Sequence, residues 1–353
     1  MRSMCQAILL AACQAVLAVH AQSGEAPQSV APRQVDEPVQ ADAAAPPPPG
    51  IVDMDTVVVS GVQPGPGMWR VSKDDHVLYV LGTLSPLPKH MEWASREVED
   101  TIARSQAVLE PPAVVMRSDI GFFRRLSLVP ALLRARNNPG KEKLQDMVSP
   151  ELYARWLVLK ARYIGRDRGV EKRRPILAAQ ELYEAAIHKS GLQLENVAGK
   201  VVKKAAKRAG VPTVPAEAEL VIEDPKAVLK EFNAITLADT GCFAGTMARI
   251  ETDLDNMRAR ANAWAVGDIE ALRALPFHNQ YADCVDAITG TSLAKRLGID
   301  GLLARAEQAW MDAAEDALAK NAITFATLPM GEVLSDKGYL AKLRAKGYRV
   351  EAP

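Results

Sequence analysis

The sequence predicts an α/β fold with a mixed or mainly parallel central sheet, built from two pseudo-symmetric halves around a large helical insertion. Two short apolar runs, residues 77–82 and 107–110, have the length and bounded ends of buried strands. A helical stretch at residues 93–105 separates them. Because strand–helix–strand order is typical of parallel sheets, this segment predicts the first half.

The end of the chain repeats this order and predicts the second half. Residues 323–328 have a strand pattern, residues 338–346 a helical pattern, and residues 348–351 a final strand pattern. The long stretch between the two halves is mostly helical in pattern, which predicts the insertion.

Two helix-start signals lie in this insertion. Ser149-Pro150 places an N-cap and a first-turn proline ahead of one predicted helix, and Asp224-Pro225 repeats the signature ahead of another. Residues 211–214, between them, predict a further short strand.

Apolar spacing predicts two more helices. Residues 247–264 carry apolar side chains every three or four positions, which predicts one amphipathic helix that packs in the core. Residues 302–318 predict another, with Trp310 on its apolar side.

The start of the chain has the features of a secretory signal peptide, residues 1–21. Arg2 gives a positive start, residues 7–19 form an uncharged apolar run, and Ala21 ends an A-x-A-like cleavage site. The run is shorter than the roughly 20 apolar residues of a membrane-spanning helix. We therefore expect export to the periplasm or cell envelope of a bacterium. One alternative is a buried helix of the folded domain, and another is a lipoprotein form anchored through Cys13.

A low-complexity segment, residues 22–67, follows. It is rich in Pro, Ala, Gln and Val, with proline clusters at residues 46–49 and 64–67, which predicts a disordered or polyproline-like linker. Residues 56–61 inside it predict an edge strand. The folded domain is then expected over residues 68–351, without a transmembrane segment in the mature chain.

Composition excludes some classes of function. Lys+Arg 43 balances Asp+Glu 43, so the chain lacks the basic footprint of a nucleic-acid-binding protein. The same balance gives no field that would steer an anionic substrate. The 48% hydrophobic content suits one sizeable domain or two intimate ones.

Two cysteines, Cys242 and Cys284, remain after removal of the signal peptide. An even pair in an oxidising compartment predicts a disulfide. The alternative is two buried free thiols, and a zinc site lacks the usual ligand spacing.

Three segments are candidates for a ligand site. In α/β sheets ligands bind beyond the carboxyl ends of the strands. The loops at residues 82–88 and 326–331 follow two predicted strands, and Glu110 ends a third, so we expect all three at one crevice.

On these elements the sequence resembles the TraB/GumN family, which includes the Tiki metalloproteases and shares a fold with ChaN-like and erythromycin-esterase-like proteins. The resemblance runs from about Trp69 to Val350. The segments that carry it are residues 78–84, 108–110, 263–268, 338–340 and 346–350. It implies an active site of two Gly-x-x-His loops, one in each half, with a glutamate after the second strand. In Tiki-like members it also implies a divalent metal and peptide-bond hydrolysis.

The sequence departs from the family pattern at both histidines. The first loop is Gly82-Thr83-Leu84-Ser85, with Ser85 at the histidine position, and the second is Ala326-Thr327-Leu328-Pro329, without the glycine or the histidine. Only Glu110 remains. Since proline has no side-chain ligand and a neutral hydroxyl is a poor one, we expect no metal site of the family type.

Other residues offer alternatives. His76, His90, His188 and His278 do not match the spacing of the family's ligands and are expected at the surface or as caps. Arg305 lies near where the family carries an arginine facing the site, and a salt bridge within the helical layer is the competing role.

Ser85 and Glu110 each have two candidate roles, one chemical and one structural. Ser85 as a nucleophile lacks the Gly-x-Ser-x-Gly elbow, so a helix cap or a filler of the emptied pocket is the alternative. Glu110 is either a general acid or base in the cleft or a structural carboxylate bonded to loop backbone.

The sequence thus predicts a non-catalytic envelope protein that binds a peptide, glycan or partner protein, with no cofactor. The first alternative is a hydrolase or protease with a rearranged site around Glu110, with Ser85 or His90, which would use a divalent metal. The second is an envelope interaction module without a ligand in the cleft.

Overall fold

A computed structural model describes residues 61–277 and 282–353. The predicted signal peptide, Cys13, most of the predicted linker and His278 lie outside the described residues. The central sheet has six strands in the order β6-β4-β7-β2-β1-β8. Their bounds are β1 Met68–Lys73, β2 His76–Thr83, β4 Ala107–Arg117, β6 Thr213–Val221, β7 Ile323–Pro329 and β8 Arg349–Glu351. A second sheet pairs β3 (Leu87–Pro88) with β5 (Leu192–Gln193).

The central sheet is mainly parallel, which confirms the predicted fold class. β2, β7, β4 and β6 are parallel neighbours, whereas β1 is antiparallel to both β2 and β8. β7 lies between β2 and β4, so the last long strand of the chain separates the two strands of the first half. The two halves therefore share one sheet, with their loops at its carboxyl edge.

Sixteen α-helices are present in the described residues. In the first half and the insertion these are α1 Arg96–Arg104, α2 Phe122–Ser127, α3 Val129–Ala135, α4 Leu144–Met147, α5 Pro150–Tyr163, α6 Pro175–Lys189, α7 Val197–Ala209, α8 Pro225–Ala234, α9 Thr240–Thr252, α10 Leu254–Val266, α11 Ile269–Ala274, α12 Ala282–Thr289 and α13 Ser292–Leu297. The last three are α14 Leu302–Lys320, α15 Met330–Leu334 and α16 Tyr339–Ala345. Short 3-10 turns lie at Pro139–Lys141 and Val170–Lys172. Among the described helices, none has both the length and the apolar content needed to cross a membrane.

Both predicted helix starts are confirmed. The Ser149 hydroxyl accepts a hydrogen bond from the Leu152 N–H at 3.3 Å, at the start of α5. The Asp224 carboxylate accepts from Lys226 and Ala227 at the start of α8. These side chains satisfy N–H groups that have no partner within the helix.

β4 is longer than predicted. It continues past Glu110 to Arg117, with a register shift between Leu109 and Pro112. A proline donates no hydrogen bond to a ladder, yet the strand continues through Pro111 and Pro112. Pairing with β6 resumes at Pro112, which is opposite Ala216, so β6 is also longer than predicted.

The single helix predicted over residues 247–264 is two helices, α9 and α10, and the prediction is wrong in this respect. The break falls at Asp253, which is buried and accepts from Arg260 at 2.9 Å and from Arg249 at 3.3 Å. Since a buried carboxylate needs such partners, the two arginines stabilise the break in the helix. The apolar stripe nevertheless packs in the core as predicted, with Trp264 fully buried.

The core centres on large side chains from both halves. Trp69, Trp264, Trp310 and Phe325 are all buried. α14 packs on β6, β4 and β2, and Trp310 lies on the buried side of that helix.

The predicted pairing of Cys242 with Cys284 is present. The two Cα atoms are 4.5 Å apart and the bond joins α9 to α12, across 42 positions of sequence. It ties the return segment of the insertion to a helix of the core.

Residues 61–67, the last of the predicted linker, contact the folded domain. The Gly65 N–H donates to the Ala265 carbonyl at 2.8 Å, and Gln63 exchanges backbone hydrogen bonds with Glu92 and Ala94. Gln63 forms a parallel bridge with Trp93, so the segment runs beside Trp93 before it enters β1.

Candidate functional site

The two predicted cleft loops lie side by side. In the parallel ladder Gly82 is opposite Leu328 and Thr83 is opposite Pro329. The Thr83 hydroxyl donates to the Leu328 carbonyl at 3.2 Å, which bonds the end of β2 to the end of β7. The symmetry-related positions inferred from sequence therefore meet at one edge of the sheet.

Glu110 lies at the same edge. Its neighbour Leu109 is opposite Ala326, so Glu110 follows one position nearer the carboxyl ends of the strands. The residue is half-buried and begins the β4 bulge. Within the described residues its carboxylate has no hydrogen bond or ion pair, so the expected bond to loop backbone is not seen.

Ser85 faces solvent and makes a structural hydrogen bond. Its hydroxyl donates to the Leu194 carbonyl at 3.0 Å, and the Ser85–Pro86 peptide is cis. Leu194 follows β5, which itself pairs with β3 directly after the loop. The hydroxyl therefore helps fasten the first loop to the helical insertion.

At the second loop, Pro329 ends β7 and Met330 begins α15. Met330 is fully buried and lies over Gly82: a Cβ added to Gly82 would be 2.5 Å from the Met330 methyl and 2.8 Å from its sulfur. The same Cβ would be 3.3 Å from the Trp69 ring. The thioether therefore fills the space above the first glycine of the crevice.

Trp264 covers the first loop from the insertion side. Its indole N–H donates to the Gly82 carbonyl at 2.8 Å, a buried hydrogen bond between α10 and the end of β2. Its ring meets Trp93 edge-on, with the centroids 5.6 Å apart. The carboxyl end of β2 is thus enclosed by Met330 on one side and by two tryptophans on another.

Arg305 is exposed and lies in the first turn of α14. Its guanidinium donates to the Gly298 carbonyl at 3.0 Å and lies against Gly301. These contacts hold the turn between α13 and α14, and no ion pair of Arg305 is present among the described residues.

The histidines of the described residues do not converge on the crevice. His76 begins β2, at the opposite end of the sheet, where its Nδ1 is 2.8 Å from the Asn321 carbonyl. His90 and His188 are exposed. Over residues 61–277 and 282–353, His, Cys, Asp and Glu side chains form no group of three able to hold a metal ion.

Ser85 and Pro329, at the two positions where the resemblance implies metal ligands, do not fit a divalent metal. The Ser85 hydroxyl is turned to the Leu194 carbonyl, Pro329 has no ligand atom in its side chain, and the thioether of Met330 packs against Gly82. A thioether is a soft ligand and a poor match for hard divalent ions. The carboxylate of Glu110 is a hard ligand at this edge, but it belongs to no metal-holding group of three side chains among the described residues.

One cluster beside the second loop was not predicted from sequence. Tyr339 is buried against Trp310, with ring centroids 4.9 Å apart. Burial, and then the charges of Glu332 and Glu307, raise the pKa of the Tyr339 phenol far above its usual value. Glu307 pairs with Lys342. Because Glu307 and Tyr339 lie in helices far apart in sequence, spacing alone carries no signal for this cluster.

The fold and crevice define a class: an α/β protein whose two halves present matching loops at one sheet edge. The family model of the TraB/PrgY/gumN family matches residues 67–352, and the chain belongs to that family. The predicted resemblance is thereby confirmed. Comparisons with curated proteins and with solved structures find no match.

Proposed function

We propose that this TraB/PrgY/gumN protein is an exported, non-catalytic binding protein of the cell envelope whose inherited metal-hydrolase site is degenerate. The observation that carries the proposal is the packing of Met330 on Gly82, together with the loss of both histidine positions to Ser85 and Pro329. An activated water needs a metal ion held by side-chain ligands, and neither Ser85, which is bonded to Leu194, nor Pro329 supplies one.

The hydrogen bond of the Ser85 hydroxyl also supports a non-catalytic site. A serine nucleophile needs a base that accepts its proton. The Ser85 hydroxyl donates to the Leu194 carbonyl, which cannot act as that base. Its role is to join the first loop to the insertion, and a fixed loop suits recognition of a ligand.

Export is supported by two independent features. The first residues have the charge and apolar pattern of a signal peptide, and Cys242 and Cys284 are bonded. Disulfides persist in oxidising compartments such as the periplasm. The mature protein then begins at Gln22, or at Cys13 in a lipid-anchored form.

The expected ligand is a peptide, a glycan or an envelope protein. Thr83 lies half-buried at the mouth of the crevice, where a large side chain would obstruct access. We therefore expect that Thr83→Trp abolishes binding detected on peptide and glycan arrays. Thr291→Trp, at the N-cap of α13, is the matched control because it adds the same bulk elsewhere. Equal binding by both variants and the natural chain would contradict a role for the crevice.

A hydrolase built around Glu110 is the alternative, and its half-buried carboxylate without a hydrogen bond favours it. The discriminating measurement is hydrolysis of casein and fluorogenic peptides with added Mn²⁺, Co²⁺ or Zn²⁺. The proposal predicts the same background rate for the natural chain, for Glu110→Gln and for the exposed control Glu97→Gln. Turnover lost in Glu110→Gln alone would establish the hydrolase.

Restoring the family's ligands tests whether Met330 closes the site. The triple variant Ser85→His, Ala326→Gly and Pro329→His should gain little metal while the thioether remains. Adding Met330→Ala should increase metal uptake. Equal uptake with and without Met330→Ala would show that the thioether is not the obstacle.

A further inference from the structure

The helix α2 projects from the domain with its apolar side chains exposed. None of its six residues is buried. Phe122, Phe123 and Leu126 are 60%, 83% and 58% exposed, and the two rings touch each other edge-on with centroids 5.6 Å apart. On the next helix Leu133 is also exposed. A short helix that buries nothing gains little from packing, so these side chains indicate a surface that is covered by something else.

This apolar surface carries positive charge. Residues 118–135 contain Arg124, Arg125 and Arg134 against Asp119 as the one acidic residue, in a chain that is neutral overall. Arg125 donates to the carbonyls of Ile120 and Ser118, and Arg134 to that of Pro130, so neither charge is neutralised by a carboxylate.

The arginines on either side of this segment, in contrast, form ion pairs with carboxylates. Arg117 is paired with Glu217 and Glu219, and Arg136 with Glu181. Unpaired charge is therefore concentrated beside the exposed phenylalanines. We name Phe122, Phe123, Leu126 and Leu133 with Arg124, Arg125 and Arg134 the α2–α3 face.

A small buried cluster next to the α2–α3 face fixes it to the domain. Leu128 and Leu132 of the segment that follows α2 are buried against Leu229 of α8, in a small core of their own. α3 is thus fixed to the domain, while α2 extends from its start. Because β4 runs past β7, alongside β6, before the chain reaches α2, the face lies beyond the same sheet edge that carries the two crevice loops.

We propose that the α2–α3 face binds peripherally to a lipid surface that carries anionic headgroups. Phenylalanine and leucine on a short projecting helix match insertion at the headgroup boundary, and arginines beside them match lipid phosphates. Guanidinium groups also bond phosphate in a bidentate manner. This inference does not depend on the proposed function of the crevice.

The experiment is co-sedimentation of the mature chain with vesicles of phosphatidylcholine, with and without an equal part of phosphatidylglycerol. We expect binding to the anionic vesicles that weakens as salt is raised. The double variant Phe122→Ser and Phe123→Ser should bind at least about tenfold more weakly, because two rings no longer leave water. Its circular dichroism should be unchanged, since both rings are exposed in the folded chain.

Leu157→Ser and Val158→Ser form the matched control, because both side chains are exposed on α5, away from this face. The control should bind like the natural chain, and Arg124→Glu with Arg134→Glu should remove the preference for phosphatidylglycerol. Absence of binding to anionic vesicles would overturn the proposal, as would an equal loss in the control. A dimer in sedimentation velocity that disappears in the phenylalanine variant, without vesicle binding, would show instead that the face joins two protein chains.

Discussion

Removing the disulfide should destabilise the fold by an amount that follows from the loop it closes. Cys242 and Cys284 are 42 positions apart. Closing a loop of that size removes conformational entropy from the unfolded chain worth about 4 kcal/mol at 25 °C. Both side chains are buried, so alanine is a better replacement than serine because it adds no hydroxyl that needs a partner.

The assay is urea unfolding of the mature chain followed by circular dichroism. We expect the variant Cys242→Ala and Cys284→Ala to lose about 4 kcal/mol of unfolding free energy, and the natural chain in dithiothreitol to lose a similar amount. Thiol counting in denaturant without reductant should find no free thiol in the mature chain. A loss below about 1 kcal/mol, or two free thiols, would show that a disulfide between these cysteines does not stabilise the fold as expected.

Three further predictions concern the crevice and its surroundings. Gly82→Ala should cost about 1–3 kcal/mol of stability, because its Cβ meets Met330, and the added change Met330→Ala should recover part of it in urea unfolding. Trp264→Phe leaves the buried Gly82 carbonyl without its donor and should cost about 1–3 kcal/mol, whereas an unchanged midpoint would refute that role. Tyr339 has a raised pKa, so it stays neutral in the folded chain while the unfolded chain ionises above about pH 10. Stability should therefore fall above that pH more steeply for the natural chain than for Tyr339→Phe; parallel curves would contradict this.

The sequence predicts the positions of the strands better than their ends. Residues 77–82 and 323–328 fall within β2 and β7 because continuous apolar runs bounded by turn residues specify buried strands. The apolar run at residues 107–110 predicts an end to β4 at Glu110, yet the strand continues through Pro111 and Pro112. Whether a proline ends a strand depends on its neighbour, and pairing with β6 is a contact between distant residues that no local pattern reports.

The same limit applies to the crevice. The rule that ligands lie beyond the carboxyl ends of parallel strands was enough to bring Gly82, Pro329 and Glu110 to one edge. It could not predict that Met330 fills the space above Gly82, since that depends on how α15 turns after β7. Nor could it predict that Ser85 bonds to Leu194, which lies 109 positions further along the chain.

The helix break at Asp253 has a similar cause. Apolar spacing continues through residues 247–264, so periodicity favours a single helix. The buried pairing of Asp253 with Arg249 and Arg260 outweighs that local preference. Charged residues inside an apolar stripe are the one local sign of such a break.

The main proposal is that the metal-hydrolase site implied by the family resemblance is degenerate in this chain. It is tested most directly by elemental analysis of the purified mature protein after incubation with Mn²⁺, Co²⁺, Zn²⁺ and Fe²⁺ and removal of unbound ions. Because a degenerate site holds no ion, we expect no stoichiometric metal, and the same background for the natural chain, for Glu110→Ala and for the exposed control Glu97→Ala. One metal ion per chain that is lost in Glu110→Ala and kept in Glu97→Ala would contradict it.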